Sequence, residues 1–214
     1  MIVDVYADTI CPWCRIGNKH LTDALKSWEG EPVTVRHHPF ELRPDMPKSG
    51  VDFKQQMAAI KGDADIKPML DRVCQAGEAC ELTFKFENVG LMPNTLLSHQ
   101  VVQAVPEDKQ ADLLEAMHVA YFEDGLDIGD RETLLKVAER AGHDRPGIEA
   151  KLADPLFTAE VTRRANWARE QGITGVPFIQ LTGGSPTAPR LEPTESVEIP
   201  IIRTEPSALQ NIAD

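Results

Sequence analysis

The feature that most constrains this chain is Cys11-Pro12-Trp13-Cys14, which falls where a β-type stretch gives way to a helical one. Residues 2–6, IVDVY, are β-branched and aromatic and run into Ala7-Asp8-Thr9, which suits a short buried strand ending in a turn. Cys14, Gly17, Leu21, Ala24, Leu25 and Trp28 then recur at helical spacing, with Gly30 as a stop signal. Pro12 suits the first turn of that helix, where its missing N–H would be an orphan anyway. A helix N-terminus carries unpaired N–H groups and partial positive charge, both of which favour a thiolate over a thiol. Cys11 is the better placed of the two cysteines. Cys14 lies one turn further in, within disulfide reach but pointing toward the protein body. The spacing predicts an exposed attacking cysteine and a protected resolving one.

CxxC is also the commonest half of a zinc site, so that reading has to be weighed. A closed site needs two more ligands, and Cys74 and Cys80 are the available thiols. On one helix they would rise about 9 Å apart and face different sides, which does not make a second knuckle. No metal is expected. The same spacing argues against a Cys74–Cys80 disulfide, whose Cα atoms must lie within about 7 Å, and favours two buried, hydrophobe-like cysteines.

With 214 residues the chain has enough length for one large domain or two small ones. Its 42% hydrophobic and 26% charged residues are ordinary globular usage, which excludes disordered, collagenous and disulfide-scaffold classes. The net charge of −12 would repel phosphate backbones and anionic lipid, so neither nucleic acid nor membrane is an expected partner. The opening MIVDVYADTICPWC has no basic stretch before an apolar run and no small-residue cleavage site, and no run of about 18 apolar residues suggests a membrane span. The expected location is therefore cytoplasmic, where cysteines serve catalysis, metal binding or packing; a mature secreted form is the alternative.

Residues 33–41 suit a second strand, with Pro39 implying an edge position or an early end. Short helices separated by Gly, Pro and Asp are predicted at 51–60, 67–80, 94–105, 107–123, 131–141 and 146–153, with no strand among them. Asp130 is placed as an N-cap and Gly142 as a C-terminal stop. A further helix over 158–171 leads into a strand containing Val176, Phe178, Ile179 and Leu181. The pattern is that of an α/β domain over 1–43 and 155–214 interrupted by an all-α insertion over 44–154.

Gly175-Val176-Pro177-Phe178 places an X-Pro bond at the entrance to an apolar strand, where a cis peptide can be held. Together with Cys11-Pro12-Trp13-Cys14, Met92-Pro93-Asn94-Thr95 followed by His99, and Asp127-Ile128-Gly129-Asp130, it resembles the thioredoxin superfamily over residues 1 to 181. Within that superfamily the chain is most similar to the DsbA-like group with a helical insertion, and there to the cytosolic FrnE-type dithiol–disulfide oxidoreductases. The 2-hydroxychromene-2-carboxylate isomerases and kappa-class glutathione transferases are sister families.

The resemblance implies a thioredoxin fold with an all-α insertion and thiol–disulfide exchange. Cys11 would be the nucleophile, Cys14 the resolving thiol and Pro177 a cis proline lying against them. Val176 would offer its backbone N–H and C=O to an extended substrate, beside Pro12 and Trp13. Asn94 and His99 match positions near the groove of the isomerase and transferase relatives. Those sisters usually carry serine where this chain has Cys11 and use bound glutathione, so two cysteines imply dithiol chemistry with no cofactor beyond the redox-active disulfide. The expected partner is a protein or small-thiol disulfide. A glutathione-dependent isomerase or transferase, with glutathione as cosubstrate, is one alternative; a non-enzymatic, redox-controlled peptide-binding module is another.

Other residues receive plainer expectations. Asp8 is either a proton relay to Cys14 or a cap or solvated turn residue. His37, His38, His118 and His143 find no ligand or triad partners in the sequence and default to the surface, whereas Trp28 and Trp167 are assigned to the core. After residue 181 the chain leaves the family pattern. Relatives continue through a hairpin strand into a long C-terminal helix, but Pro186, Pro189, Pro193, Pro200 and Pro206 forbid one here. Val197-Glu198-Ile199-Pro200-Ile201-Ile202 is expected to cover the sheet face that the helix would have covered, or to reach a second subunit as the arm of a homodimer.

Overall fold

The structure, a computed structural model, describes residues 1–62 and 65–182. The tail segment 197–202, with the dimer arm it suggested, lies outside the described residues. Among the described residues three strands form the main sheet in the order β2-β1-β5: β1 is Ile2–Ala7, β2 is Thr34–Pro39 and β5 is Phe178–Thr182. β1 runs parallel to β2 and antiparallel to β5, so it is the central strand, which accounts for its unbroken buried run. Among the described residues β2 pairs with β1 alone, and Pro39 ends it at the edge position the missing N–H requires.

A central strand can bury a carboxylate only if the neighbouring strands satisfy it. Asp4 Oδ1 lies 2.7 Å from His38 Nε2 on β2, and Thr182 on β5 donates to Asp4 Oδ2 at 3.0 Å. Burial pushes this carboxyl up, but the His38 and Thr182 bonds outweigh it and hold it below its ordinary value. Tyr6, one pleat along, stacks on His38 with ring centroids 4.6 Å apart.

The parallel connection from β1 to β2 passes through α1, Pro12–Lys26. Between β2 and β5 come α2 (Phe53–Lys61), α3 (Lys67–Glu78), α4 (Leu96–Ala104), α5 (Glu107–Phe122), α6 (Arg131–Arg140), α7 (Arg145–Ala153) and α8 (Pro155–Glu170). Asp130 accepts from the Thr133 N–H at 2.8 Å as the N-cap of α6, and Gly142, at φ +84°, follows its end. The expectation that no strand interrupts the helices needs correction. Val51–Asp52 (β3) and Leu91–Met92 (β4) pair antiparallel, a two-residue ladder too short to leave a pattern in sequence. This is a thioredoxin fold carrying a helical insertion.

Two groups of residues sit opposite to expectation. Trp28 is 50% exposed, its indole N–H donating to the Glu31 carbonyl at 2.8 Å, because α1 ends at Lys26 before the periodicity reaches it. His37 and His118 are buried, not superficial. His118 falls on α5, whose face toward α1 belongs to the core.

Candidate active site

Cys11 follows directly from the turn that closes β1: its N–H donates to the Asp8 carbonyl at 3.1 Å, and its own carbonyl accepts from the Cys14 N–H at 3.0 Å. It occupies the N-cap position of α1, with Pro12 inside the first turn. The sulfur therefore sits where a capping oxygen would normally sit, next to the free N–H groups at the positive end of the helix dipole. That end of a helix favours negative charge.

The Val176–Pro177 peptide is cis, as the sequence suggested. The Val176 carbonyl lies 3.8 Å from Cys11 Sγ, and the Pro177 ring packs on Gly17 of α1. A Cβ at Gly17 would stand 3.0 Å from Pro177 Cγ, so the absence of a side chain lets the proline approach the helix one turn beyond Cys14.

Cys14 is fully buried, and all four cysteines are free thiols. Burial pushes the Cys14 thiol well above its ordinary value, with its hydrogen bond to Cys11 acting the same way. Cys11 is itself only 4% exposed, so the expected exposed thiol is corrected. It reaches a cavity instead of the open surface. That cavity has a volume of about 610 Å³ and is lined by Cys11, Pro12 and Trp13 on one side, by Thr174, Gly175 and Val176 on another, and by side chains of α2, α3 and α5 opposite. Cys14 does not line it.

Behind the cysteines lies a buried polar group. Asp8 has no exposed surface, which removes the solvated-turn reading; its Oδ2 accepts the Leu42 N–H at 2.6 Å. His99 Nε2 lies 3.4 Å from Asp8 Oδ1 and 3.1 Å from the Phe40 carbonyl. Burial pushes the neighbouring Glu41 carboxyl up; His99 pulls it down and Asp8 adds to the rise. Thr9 and Ser98 share a 2.7 Å hydrogen bond that pins the active-site turn to α4.

Asn94 and His99 do not line the cavity. The Asn94 amide donates to the Met46 carbonyl at 2.8 Å and its oxygen accepts from the Leu96 N–H at 3.1 Å, whereas His99 faces Asp8 from behind. Cys74 and Cys80 bond separately to backbone carbonyls, Cys74 to Phe84 at 3.8 Å and Cys80 to Gly77 at 3.2 Å. Among the described residues no group of three or more His, Cys, Asp or Glu side chains is arranged to hold a metal ion. No helix among them is long and apolar enough to cross a membrane. Sequence reasoning missed the far wall of the cavity, including Phe53, Met57, Met69 and Val73, because helical periodicity marks these residues only as apolar.

A cysteine pair at a helix start, one thiol facing a cavity and the other buried behind it, with a cis proline packed on the same helix, defines the thiol–disulfide oxidoreductase class of thioredoxin folds. The chain belongs to the DSBA-like thioredoxin domain family, whose model matches residues 2–197. It is 28% identical over 178 residues to the uncharacterized protein YwbO of Bacillus subtilis, covering 82% of this chain and 84% of that one. The structure of the probable DsbA oxidoreductase SCO1869 from Streptomyces coelicolor superposes with a TM-score of 0.73 at 28% identity, over 84% of this chain and 79% of that one. The cytosolic disulfide reductase DsbM of Pseudomonas aeruginosa shares the fold at 18% identity and a TM-score of 0.63, over 86% of this chain and 85% of that one.

Proposed function

We propose that the protein is a FrnE-type cytoplasmic thiol–disulfide oxidoreductase that works through Cys11 and Cys14, by way of a mixed disulfide on Cys11. One observation carries this reading: Cys11 lines the cavity while Cys14 lies directly behind it and out of reach of a substrate. The Cys11 thiolate attacks one sulfur of a substrate disulfide and the other sulfur leaves as a thiolate. Cys14 then gives up its proton and attacks Cys11 Sγ, releasing the second substrate thiol and closing the Cys11–Cys14 disulfide. Two electrons pass from the dithiol to the substrate, and the oxidised protein runs the same steps in reverse.

Burial keeps Cys14 protonated until it acts, so its proton needs an acceptor. Asp8, buried behind the pair and close enough to act electrostatically on Cys14, takes that part, with His99 facing its other oxygen. Val176 presents backbone groups to an extended substrate, Pro177 fixes that backbone against α1, and Pro12 and Trp13 flank the reacting sulfur. The helices within 44–154 serve as the insertion subdomain that walls the cavity.

Insulin reduction with dithiothreitol as the reductant tests the reading. The wild-type protein should accelerate it without added glutathione, Cys11→Ser should not, and Cys14→Ser should accumulate a mixed disulfide. Turnover by Cys11→Ser, or turnover only in the presence of glutathione, would overturn it.

A further inference from the structure

The cavity beside Cys11 is lopsided in charge. Apart from Cys11 and Tyr121, the ionisable side chains among the described residues that line it are Arg43 and Lys61, both cationic. Among the described residues no carboxylate lines it, although the chain carries 34 acidic residues against 22 basic ones. Arg43 forms no ion pair among the described residues, so its charge is available at the cavity rim. Much of the remaining lining is apolar and partly aromatic, including Phe53 and Met57 of α2, Val73 of α3 and Phe86, with Gln56 and Thr174 as polar members.

Two further observations concern size. A volume of about 610 Å³ falls inside the range that holds a small organic molecule, roughly 300–1,000 Å³. Cys11, at 4% exposure, is recessed in the wall of this space, a position that a slender disulfide reaches more readily than one embedded in a folded protein surface.

We infer that the cavity takes a small organic disulfide, or the corresponding thiol, with an apolar body of aromatic size and a carboxylate. The body lies against Phe53, Met57 and Val73, the carboxylate pairs with Arg43, and the sulfur reaches Cys11. This rests on Cys11 being the attacking thiol and adds to that reading the class of substrate. In the forward direction Cys11 forms a disulfide with one half of the molecule while the other half leaves as a thiolate. Cys14 displaces the first half, so one substrate disulfide becomes two thiols and the Cys11–Cys14 dithiol becomes a disulfide. A dithiol reductant, such as dithiothreitol in the assay, returns the pair to the reduced state.

The experiment follows adduct formation on the Cys14→Ser protein by stopped flow with two aromatic disulfides, the dianionic dithiobis(nitrobenzoate) and the neutral dithiodipyridine. The intrinsic reactivities of the probes cancel when the ratio of their rate constants is compared between variants. That ratio should fall about threefold or more in Arg43→Gln, recover in Arg43→Lys, and fall with added salt, as expected for an ion pair at a cavity rim. A ratio unchanged in Arg43→Gln, with Cys11 still reacting with both probes, would overturn the inference while leaving the dithiol reading in place. Reaction with neither probe would overturn both. Insulin reduction with dithiothreitol that a saturating concentration of the redox-inert 4-nitrobenzoate fails to compete with would assign the cavity to a protein segment, again against the inference.

Discussion

The placement of Cys11 at the start of α1 and of Cys14 buried one turn further in was legible in sequence, because a strand-to-helix junction is a local signal. The burial of Cys11 was not legible, since the depth of that site is set by α2, α3 and α5 folding over it from far along the chain. The same holds for Asp8, which a local reading leaves as a turn residue until His99 and Leu42 are brought against it. His37 and His118 make the point measurable. Burial pushes His118 down to about 3, with Arg15 acting the same way, and pushes His37 down to about 4. Both are neutral in the fold, whereas the unfolded chain takes up their protons near pH 6.5. The stability they allow is therefore complete above about pH 6.5 and is lost as the pH falls toward the folded-state values. The slope is up to about 1.4 kcal/mol per pH unit for each histidine. Urea unfolding of His118→Leu between pH 6.5 and 4.5 should show a shallower pH dependence than wild type; an unchanged slope would mean that His118 is hydrated in the fold.

At the scale of elements, the strand, helix and strand of the opening and the closing strand follow from residue type and punctuation. Pro39 at an edge, Pro12 in a first turn and Asp130 as a cap behave as those residues do anywhere. What stayed hidden was the two-residue β3–β4 ladder, too short to leave a periodic mark, whereas the approach of the proline loop to α1 was expected from the family resemblance and not from periodicity. That packing gives a prediction that reverses ordinary helix propensity. Gly17→Ala should gain about 1 kcal/mol from propensity in the interior of α1. The new methyl, however, would meet Pro177 Cγ at 3.0 Å, and crowding of that kind costs about 1–3 kcal/mol. The expected result is a net loss in denaturant stability together with slower thiol–disulfide exchange, because the displaced loop carries Val176. A stabilised variant of unchanged activity would show that the loop gives way freely.

On the scale of the whole molecule, a buried cation helps to fasten the helical segment to the helix that carries Cys14. Arg15 follows Cys14 directly, is 2% exposed, and joins Glu115 at 2.7 Å, Glu123 at 2.6 Å and the Thr83 carbonyl at 2.6 Å. Burial acts to lower its pKa, but the Glu115 and Glu123 bonds outweigh this and raise it, so the guanidinium stays charged. Arg15→Leu would leave two carboxylates facing each other, with a loss of about 2–3 kcal/mol. This is below the usual cost of breaking a buried pair because Glu115 is 43% exposed. Adding Glu115→Gln to that variant should recover part of the loss in urea unfolding, and a double variant no better than the single one would show that charge is not what fastens the segment. Dithiol chemistry at Cys11 and Cys14 is best tested by a redox titration against glutathione, read by alkylation and peptide mass mapping. The expected result is a single two-electron transition that maps to a Cys11–Cys14 disulfide and leaves Cys74 and Cys80 alkylated throughout. A wild-type protein that instead held glutathione on Cys11 as a lasting mixed disulfide, or that formed its disulfide through Cys74 or Cys80, would contradict it.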